Sequence, residues 1–231
     1  MAETDRAQEI FRRLAEEYGL PQWQSHGDPV EVLVNTFLSQ NTSDVNSHRA
    51  FRSLRERFPT WDEVMTAPVE AVAEAIRSGG LANSKAPRIQ AALRRIVEER
   101  GELTLDFLAD MSVADAKAWL ESLHGVGAKT AAIVLLFSLG KPAFPVDTHV
   151  HRVSRRLGIV PDRATPEETE AIWEALMPAE TFYPLHINLI RHGRQVCQAR
   201  EPRCGICILQ DLCRYANSSI DDDTEGTESK P

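Results

Sequence analysis

The chain has 231 residues, the ordinary composition of a globular protein and a formal net charge of −8. This length allows one large domain or two small ones, and no apolar run approaches the roughly 20 residues that cross a membrane. The first residues also lack the basic and apolar regions of a secretory signal, so the sequence predicts a cytoplasmic protein.

Apolar residues recur at helical spacing along almost the whole chain, and capping residues separate the apolar stretches. In chain order, the predicted helices run from the caps Thr4 and Asp5 to Gly19, from Asp28-Pro29, from the cap Asp44, from Thr60 to Ala67-Pro68, from Val69 to Ile76, from the cap Ser84 to Gly101, from the cap Ser112, and from the capping box that starts at Thr165-Pro166. No alternating apolar run is long enough for a sheet. The sequence therefore predicts an all-α fold with short connections.

Charge is distributed unevenly, and the local balance is more informative than the total. The acidic run 221–228 contains no apolar anchor, so we predict that the tail at residues 219–231 is disordered. Residues 191–214 are instead basic, with five arginines against Glu201 and Asp211. A net negative charge argues mildly against nucleic acid as a partner, but this basic segment leaves such a partner possible.

The segment 124–132, His-Gly-Val-Gly-Ala-Lys-Thr-Ala-Ala, leads directly into an apolar run. Gly125 and Gly127 permit a tight turn with positive φ, and the N–H groups that open the next helix can hold a phosphate. This is the layout of a helix-hairpin-helix phosphate clamp, although an ordinary corner between helices has the same glycines. Lys129, in the first turn of that helix, fits either a phosphate contact or Schiff-base chemistry.

Asp147 follows a short loop and fits the N-cap of a further helix. A carboxylate held by backbone donors stays ionised, so the same residue could also serve as a base. Nothing in the sequence brings Asp147 close to Lys129. His149 and His151 are two positions apart and point to different sides of the helix, which favours structural or phosphate-binding roles over metal binding.

The four cysteines follow the pattern Cys197-x6-Cys204-x2-Cys207-x5-Cys213. A reducing compartment disfavours two nested disulfides. Four thiolates suit a structural zinc ion or a cubane iron–sulfur cluster, and the spacing leaves the metal open. Arg200 and Arg203 lie inside the Cys197–Cys204 loop, where a bound metal group would fix the loop and present both guanidiniums to phosphates.

These three motifs, in this order, resemble the endonuclease III family of DNA glycosylases in the helix-hairpin-helix superfamily. The matching segments are 123–131 with Lys129, 146–149 with Asp147, and the cysteine pattern. The resemblance runs from about residue 5 to about residue 215. It implies two helical domains with a DNA cleft between them: a six-helix barrel with the hairpin at residues 22–140, and a second domain at residues 1–21 and 141–218. The second domain would hold a [4Fe–4S] cluster on the four cysteines.

The resemblance further implies a bifunctional DNA glycosylase/AP lyase of base excision repair, acting as a monomer on double-stranded DNA with oxidised pyrimidines or abasic sites. If the organism is bacterial, such an enzyme would be associated with the nucleoid. Lys129 would attack C1′ of the damaged nucleotide and form a Schiff base that permits β-elimination. Asp147 would activate the lysine and stabilise the developing oxocarbenium charge.

The target base must leave the duplex, and family members fill the gap with side chains from two loops. These loops match residues 39–44 and 80–85, so Gln40 or Asn41 and Leu81 are the wedge candidates. Leu81 fits a core position equally well. The remaining DNA-binding candidates are Gly125, Gly127, His149, Arg200 and Arg203.

The chain departs from the usual family pattern around the wedge loops and the hairpin. Gln40 and Asn41 stand where alanine and glutamine are usual, Ala82 replaces a tyrosine, and His124 and Ala128 replace a proline and an arginine. Two alternatives therefore stay open. One is a monofunctional mismatch glycosylase, which typically lacks a lysine at position 129. The other is a non-catalytic iron–sulfur protein that binds DNA or senses redox state.

Overall fold

A computed structural model describes residues 2–218 of the chain. The acidic tail predicted to be disordered lies outside the described residues. The described part is helical and contains no strand, which confirms the all-α prediction. Within the same part, no helix has both the length and the apolar character needed to cross a membrane.

The helices follow one another with short connections. In chain order the α-helices are α1 (Glu3–Tyr18), α2 (Pro29–Ser39), α3 (Asp44–Arg57), α4 (Trp61–Thr66), α5 (Val69–Ala75), α6 (Ala82–Arg100), α7 (Val113–Glu121), α8 (Ala128–Ile133), α9 (Thr148–Leu157), α10 (Pro166–Leu176) and α11 (Phe182–Gln195). A π-helical turn, Val134–Ser138, continues α8, and short 3-10 turns lie at Arg77–Gly79, Asp106–Asp110, Ala179–Thr181, Cys204–Ile206 and Gln210–Leu212.

The chain divides into two compact units. The hairpin unit comprises Gln24–Lys141 and contains α2 to α8. The cysteine unit, as far as the structure describes it, comprises residues 2–23 together with residues 142–218 and contains α1 and α9 to α11.

Several helices begin at the predicted caps. The side chain of Asp28 accepts hydrogen bonds from the first turn of α2, and Ser112 and Thr165 do the same for α7 and α10. Each such cap contributes about 1 kcal/mol by satisfying an N–H group that has no partner inside the helix. Thr60 and Thr165 both complete the reciprocal capping box with a glutamate three residues later.

Three predicted helix starts and one predicted end are wrong. Helix α1 begins at Glu3 with Ala2 at its N-cap position, so Thr4 and Asp5 lie inside the first turn and are not the N-cap. Helix α3 is capped by Ser43 in place of Asp44, since the Ser43 side chain accepts from the N–H three residues later. Helix α6 begins at Ala82, two residues before Ser84. The end of α5 falls at Ala75, one residue before the predicted Ile76.

The core of the hairpin unit is built around α2. This helix is apolar on almost every side and packs against α3, α6, α8 and the π-helical turn. Leu33, Phe37 and Leu38 are completely buried, and each contributes roughly 1.5–3 kcal/mol relative to an exposed side chain. The C-terminal end of α2 is therefore a rigid place from which loops can project.

The cysteine unit is built on α11, which packs against both α9 and α1. Val150, Val153 and Leu157 form the buried face of α9. The guanidinium of Arg6 on α1 donates to the carbonyl oxygens of Leu157, Gly158 and Leu212. These bonds fasten the start of the chain to its C-terminal segment, because they use carbonyls that close α9 and precede the last cysteine.

Candidate functional site

The turn that contains the two glycines requires only one of them for its backbone conformation. Gly125 has φ +87°, and an added Cβ would lie 3.1 Å from Cδ of Arg88 and 3.2 Å from Cε1 of Phe37. Gly127 has φ −112°, which any residue adopts, so the expectation of positive φ is right for Gly125 and wrong for Gly127. A Cβ on Gly127 would meet nothing within 4 Å. Gly127 therefore leaves one side of the turn open.

Lys129 lies in the first turn of α8, directly after this turn. Its neighbours Thr130 and Ala131 are buried, while Lys129 itself is exposed. Among residues 2–218 its amine has no hydrogen-bond or ion-pair partner, and no side chain caps the start of α8. The amine is thus available to a ligand and not committed to the fold.

The two predicted wedge loops share an unusual backbone conformation at their tips. Within residues 2–218, Asn41 (φ +53°) and Leu81 (φ +51°) are the two non-glycine residues with positive φ, a conformation that costs an ordinary side chain about 1–3 kcal/mol. Leu81 is 60% exposed, so its alternative assignment to the core is wrong. Asn41 is exposed as well. The fold holds two strained, outward-pointing tips.

The first loop also contacts the glycine turn. The Nε2 atom of Gln40 donates to the carbonyl oxygen of Gly125 at 3.3 Å, and Phe37 of α2 lies against Gly125. Four of the predicted residues, namely Gln40, Asn41, Leu81 and Gly125, therefore lie on segments that meet at the C-terminal end of α2.

Asp147 is the N-cap of α9, as its sequence context predicts. One carboxylate oxygen accepts from the N–H of Val150 at 2.7 Å, and the side chain is half-buried. His149 packs against α11, where an added Cβ on Gly193 would lie 2.9 Å from Cβ of His149. Burial lowers the pKa of His149. His151 has a structural role, because its Nε2 lies 2.8 Å from the carbonyl oxygen of Ala164.

The four cysteines line one pocket in the cysteine unit. Cys213 is buried, whereas the other three are half-buried. Burial raises the pKa of the Cys207 thiol to about 11, so metal binding there must displace a proton. In residues 2–218, no three Cys, His, Asp or Glu side chains are arranged to hold one metal ion. Four thiols around one pocket are the donor set both of a [4Fe–4S] cluster and of a structural zinc ion.

A histidine and a tyrosine lie behind one of these thiols. Nε2 of His192 is 3.5 Å from Sγ of Cys207, and Nδ1 of His192 is 3.1 Å from the Tyr18 hydroxyl. Burial lowers the pKa of His192 to about 4, so the ring is neutral at pH 7. A thiolate only accepts hydrogen bonds. Once Cys207 is ionised, Nε2 must carry the ring proton and the Tyr18 hydroxyl must donate to Nδ1.

Two arginines of α9 fasten the loop that begins at Cys197. Arg152 donates to the Cys197 carbonyl oxygen at 3.1 Å and to that of Gly193 at 2.9 Å. Arg156 donates to the carbonyl oxygens of Gln198 and Ala199 at 2.6 and 2.9 Å. The loop is therefore held by its backbone.

Two further arginines project from the same loop. The side chains of Arg200 and Arg203 are exposed, and neither has a partner within the part of the chain that the structure describes. Their guanidiniums are therefore available to a ligand, in contrast to those of Arg152 and Arg156.

Sequence reasoning missed three residues that shape these sites. Lys85 and His192 are buried polar residues whose partners lie far away in the chain, and Arg156 looks like an ordinary exposed helix residue. The one available signal was the position of Lys85 and His192 on helix faces that otherwise carry apolar side chains.

Comparison with known proteins identifies the class. Residues 34–179 match the model of the HhH-GPD superfamily base excision DNA repair proteins, which is more than half of the chain. Residues 197–213 match the iron–sulfur binding domain of endonuclease III. The chain therefore belongs to the HhH-GPD superfamily of base excision DNA repair proteins.

Individual relatives narrow this assignment. The chain is 37% identical to endonuclease III of Thermotoga maritima over 208 residues, which covers 90% of this chain and 92% of that one. It is also 37% identical to endonuclease III of Escherichia coli, covering 90% and 94% of the two chains. These relatives confirm the prediction of a DNA glycosylase/AP lyase with an iron–sulfur cluster.

Solved structures agree with this assignment. A trapped endonuclease III–DNA covalent intermediate aligns with a TM-score of 0.80 at 29% identity, over 95% of this chain and 100% of that one. A non-covalent endonuclease III–DNA complex aligns with a TM-score of 0.82, also at 29% identity, over 96% and 100%. A thermostable thymine-DNA glycosylase shares the fold at 19% identity, with a TM-score of 0.77 over 93% and 98%.

Proposed function

We propose that this enzyme removes oxidised pyrimidines from double-stranded DNA with Lys129 as its nucleophile, and then cleaves the abasic strand. The observation that carries the proposal is the exposed Lys129 amine, which has no partner among residues 2–218 and directly follows the open Gly127 turn. Because most lysines are exposed, the feature that distinguishes Lys129 is its place in the first turn of α8, directly after the open Gly127 turn and within the segment that matches the HhH-GPD model. The covalent endonuclease III–DNA intermediate supports the same chemistry in a similar protein.

The reaction follows from the chemistry of an amine and a sugar. The neutral Lys129 amine forms a bond to C1′ while the bond from C1′ to the base breaks, and the base leaves with a proton. Ring opening yields a Schiff base. Loss of a C2′ proton then breaks the C3′–O bond and releases the 3′ phosphate, and water hydrolyses the imine to free the lysine.

We assign Asp147 the role of the carboxylate that accepts the lysine proton and stabilises positive charge on the sugar. Its N-cap bond to Val150 uses only one of the two carboxylate oxygens. The second oxygen is left for this task. Because the cap fixes the side chain in one orientation, little ordering is required at the moment of reaction.

DNA contacts would come from three places. The uncapped start of α8 and the open side of Gly127 suit a backbone phosphate. Asn41 and Leu81 would fill the gap left by the extruded base, with Gln40 holding the first loop against Gly125. Arg200 and Arg203 would neutralise phosphates, and His149 would add a further contact. We propose that a single chain performs the reaction, in the compartment that holds the DNA.

The four cysteines would hold a [4Fe–4S] cluster. Bound there, the cluster would tie the Cys197–Cys204 loop to Cys207 and Cys213, and it would supply no group to the reaction at the sugar. Absorption near 400 nm with iron analysis tests this. A colourless protein with stoichiometric zinc would contradict it.

The test of the function measures base release and strand cleavage separately on a duplex with thymine glycol. A bifunctional enzyme produces both at the same rate at neutral pH, without added alkali. Base release without strand cleavage would indicate a monofunctional glycosylase. Binding without either product would indicate another lesion or a non-catalytic DNA-binding protein.

A further inference from the structure

Lys85 is a buried lysine that the proposed reaction does not use. It lies in the first turn of α6, 2% of its surface is exposed, and burial lowers its pKa. Burying an ammonium is costly unless its donors are satisfied. The hairpin unit nevertheless buries the Lys85 ammonium. Packing alone does not explain this, because an apolar side chain would fill the same space without the desolvation cost.

The partners of Lys85 are two backbone carbonyls, one 47 residues away in the chain and the other in the turn that precedes α6. Nζ donates to the carbonyl oxygen of Leu38 at 2.7 Å and to that of Gly79 at 2.9 Å. Leu38 belongs to the last turn of α2, whose carbonyls lack partners within the helix and carry partial negative charge. Gly79 ends the 3-10 turn before the second wedge loop. One ammonium therefore binds the bases of both loops.

The two carbonyls that Lys85 binds lie a short distance before the two strained tips in the chain. Asn41 follows Leu38 after two intervening residues, and Leu81 follows Gly79 after one. These tips are the two non-glycine residues with positive φ in the described chain. Strained conformations persist only where the surrounding structure over-determines them, and Lys85 supplies a shared constraint for both.

Close packing also holds the bases of the two loops, at Leu38 and Gly79, against each other. An added Cβ on Gly79 would lie 3.0 Å from Cβ of Ala50 on α3 and 3.7 Å from the Leu38 carbonyl oxygen. The backbone N–H of Lys85 also donates to the Leu81 carbonyl at 2.9 Å. Lys85 thus contacts the second loop at Gly79 and at its tip residue Leu81.

We propose that Lys85 is a positioning residue that fixes the Asn41 loop and the Leu81 loop relative to each other, so that both tips enter the DNA duplex together. This inference rests on the proposed wedge roles of the two tips. Lys85 touches neither DNA nor the reacting atoms. Its effect is on extrusion of the base, and it acts through the loops.

The experiment compares Lys85→Met with a matched variant in the same helix. Gln90 is also 2% exposed, and its Nε2 donates to the carbonyls of Val64 and Ala67 at 2.9 and 2.8 Å. Gln90→Met therefore removes two buried side-chain bonds to carbonyls from α6, but away from the wedge loops. A purely structural role predicts the same behaviour for the two variants.

The probe is a duplex with thymine glycol opposite 2-aminopurine, whose fluorescence rises when it is unstacked. All variants carry Lys129→Gln so that no turnover occurs, and thermal unfolding checks that each is folded. We expect Lys85→Met to lose most of the fluorescence rise, as Leu81→Ala does, while Gln90→Met keeps it. The Lys85→Met/Leu81→Ala double variant should lose no more than either single variant.

Each other outcome has a defined meaning. A full fluorescence rise in Lys85→Met, with a loss in Leu81→Ala, would overturn the positioning role and leave the proposed function intact. Equal losses in Lys85→Met and Gln90→Met, or additive losses in the double variant, would show that Lys85 only stabilises the fold. No loss in Leu81→Ala or Asn41→Ala would remove the wedge roles, and the inference about Lys85 with them.

Discussion

Replacing Arg200 and Arg203 by alanine should weaken DNA binding without weakening the fold. Both side chains are exposed and lack partners in the described part of the chain, while Arg152 and Arg156 hold the loop through its backbone. Substitutions at such positions change the free energy of unfolding by no more than about 0.5 kcal/mol. The loop should therefore keep its shape while it loses two positive charges.

The size of the binding effect follows from counterion release. Each neutralised phosphate contributes about 0.9 to the slope of log K against log salt, so two lost contacts should flatten that slope by about 1.8. Between about 50 and 200 mM salt, wild-type affinity should then fall roughly 12-fold more than that of the double variant. The loss should be similar for damaged and undamaged duplexes, because phosphates carry no sequence information.

Fluorescence anisotropy at several salt concentrations measures both slopes. The matched control is Arg12→Ala with Arg95→Ala, which removes the same charge from arginines already paired with glutamates. This control should keep the wild-type slope. If Arg200→Ala/Arg203→Ala keeps it too, or if the control flattens it equally, the loop does not contact phosphates.

Four further substitutions separate folding from function. Asp147→Asn keeps an N-cap acceptor, so the free energy of unfolding should change by less than about 0.5 kcal/mol. Single-turnover base release should slow by about 10²- to 10⁴-fold, because the carboxylate is lost. An unchanged rate would remove the catalytic role of Asp147. Gly125→Ala forces φ +87° on a side chain and should lower the free energy of unfolding by about 1–3 kcal/mol. Gly127→Ala should lower it less but weaken DNA binding more, and the reverse order would contradict the open-turn argument. Tyr18→Phe removes the hydroxyl that holds His192 against Cys207, so a chelator should bleach the cluster about tenfold faster. An unchanged bleaching rate would show that this hydrogen bond does not support the cluster.

Local chemistry explains which helix boundaries could be predicted. Asp28 and Thr165 cap their helices because each has a proline at the first helical position and a side-chain acceptor in reach. The start of α6 could not be predicted, because it depends on the positive φ of Leu81 and not on a capping side chain. Ser84 was the best cap by residue type, but the loop before it already turns into the helix two residues earlier.

The chemistry of the candidate site was more accessible to sequence reasoning than its supports. The dense cysteine pattern predicts a metal site, and the resemblance to the endonuclease III family assigns an iron–sulfur cluster to it. The same resemblance selects Lys129 as the nucleophile, and that catalytic role stays a prediction. Lys85 looks like an ordinary solvent-facing lysine, because its carbonyl partner in Leu38 is 47 residues away. The exposure of Leu81 likewise depends on how α6 packs and not on its neighbours in the chain.

Borohydride trapping is the most direct test of Lys129 as the nucleophile. The protein is incubated with a thymine glycol duplex and sodium borohydride, and the products are separated on a denaturing gel. We expect a covalent protein–DNA band in the wild type and none in Lys129→Gln, although Lys129→Gln should still bind the duplex. A trapped band of equal intensity in Lys129→Gln, or base release by the wild type without any trapped band, would contradict the assignment.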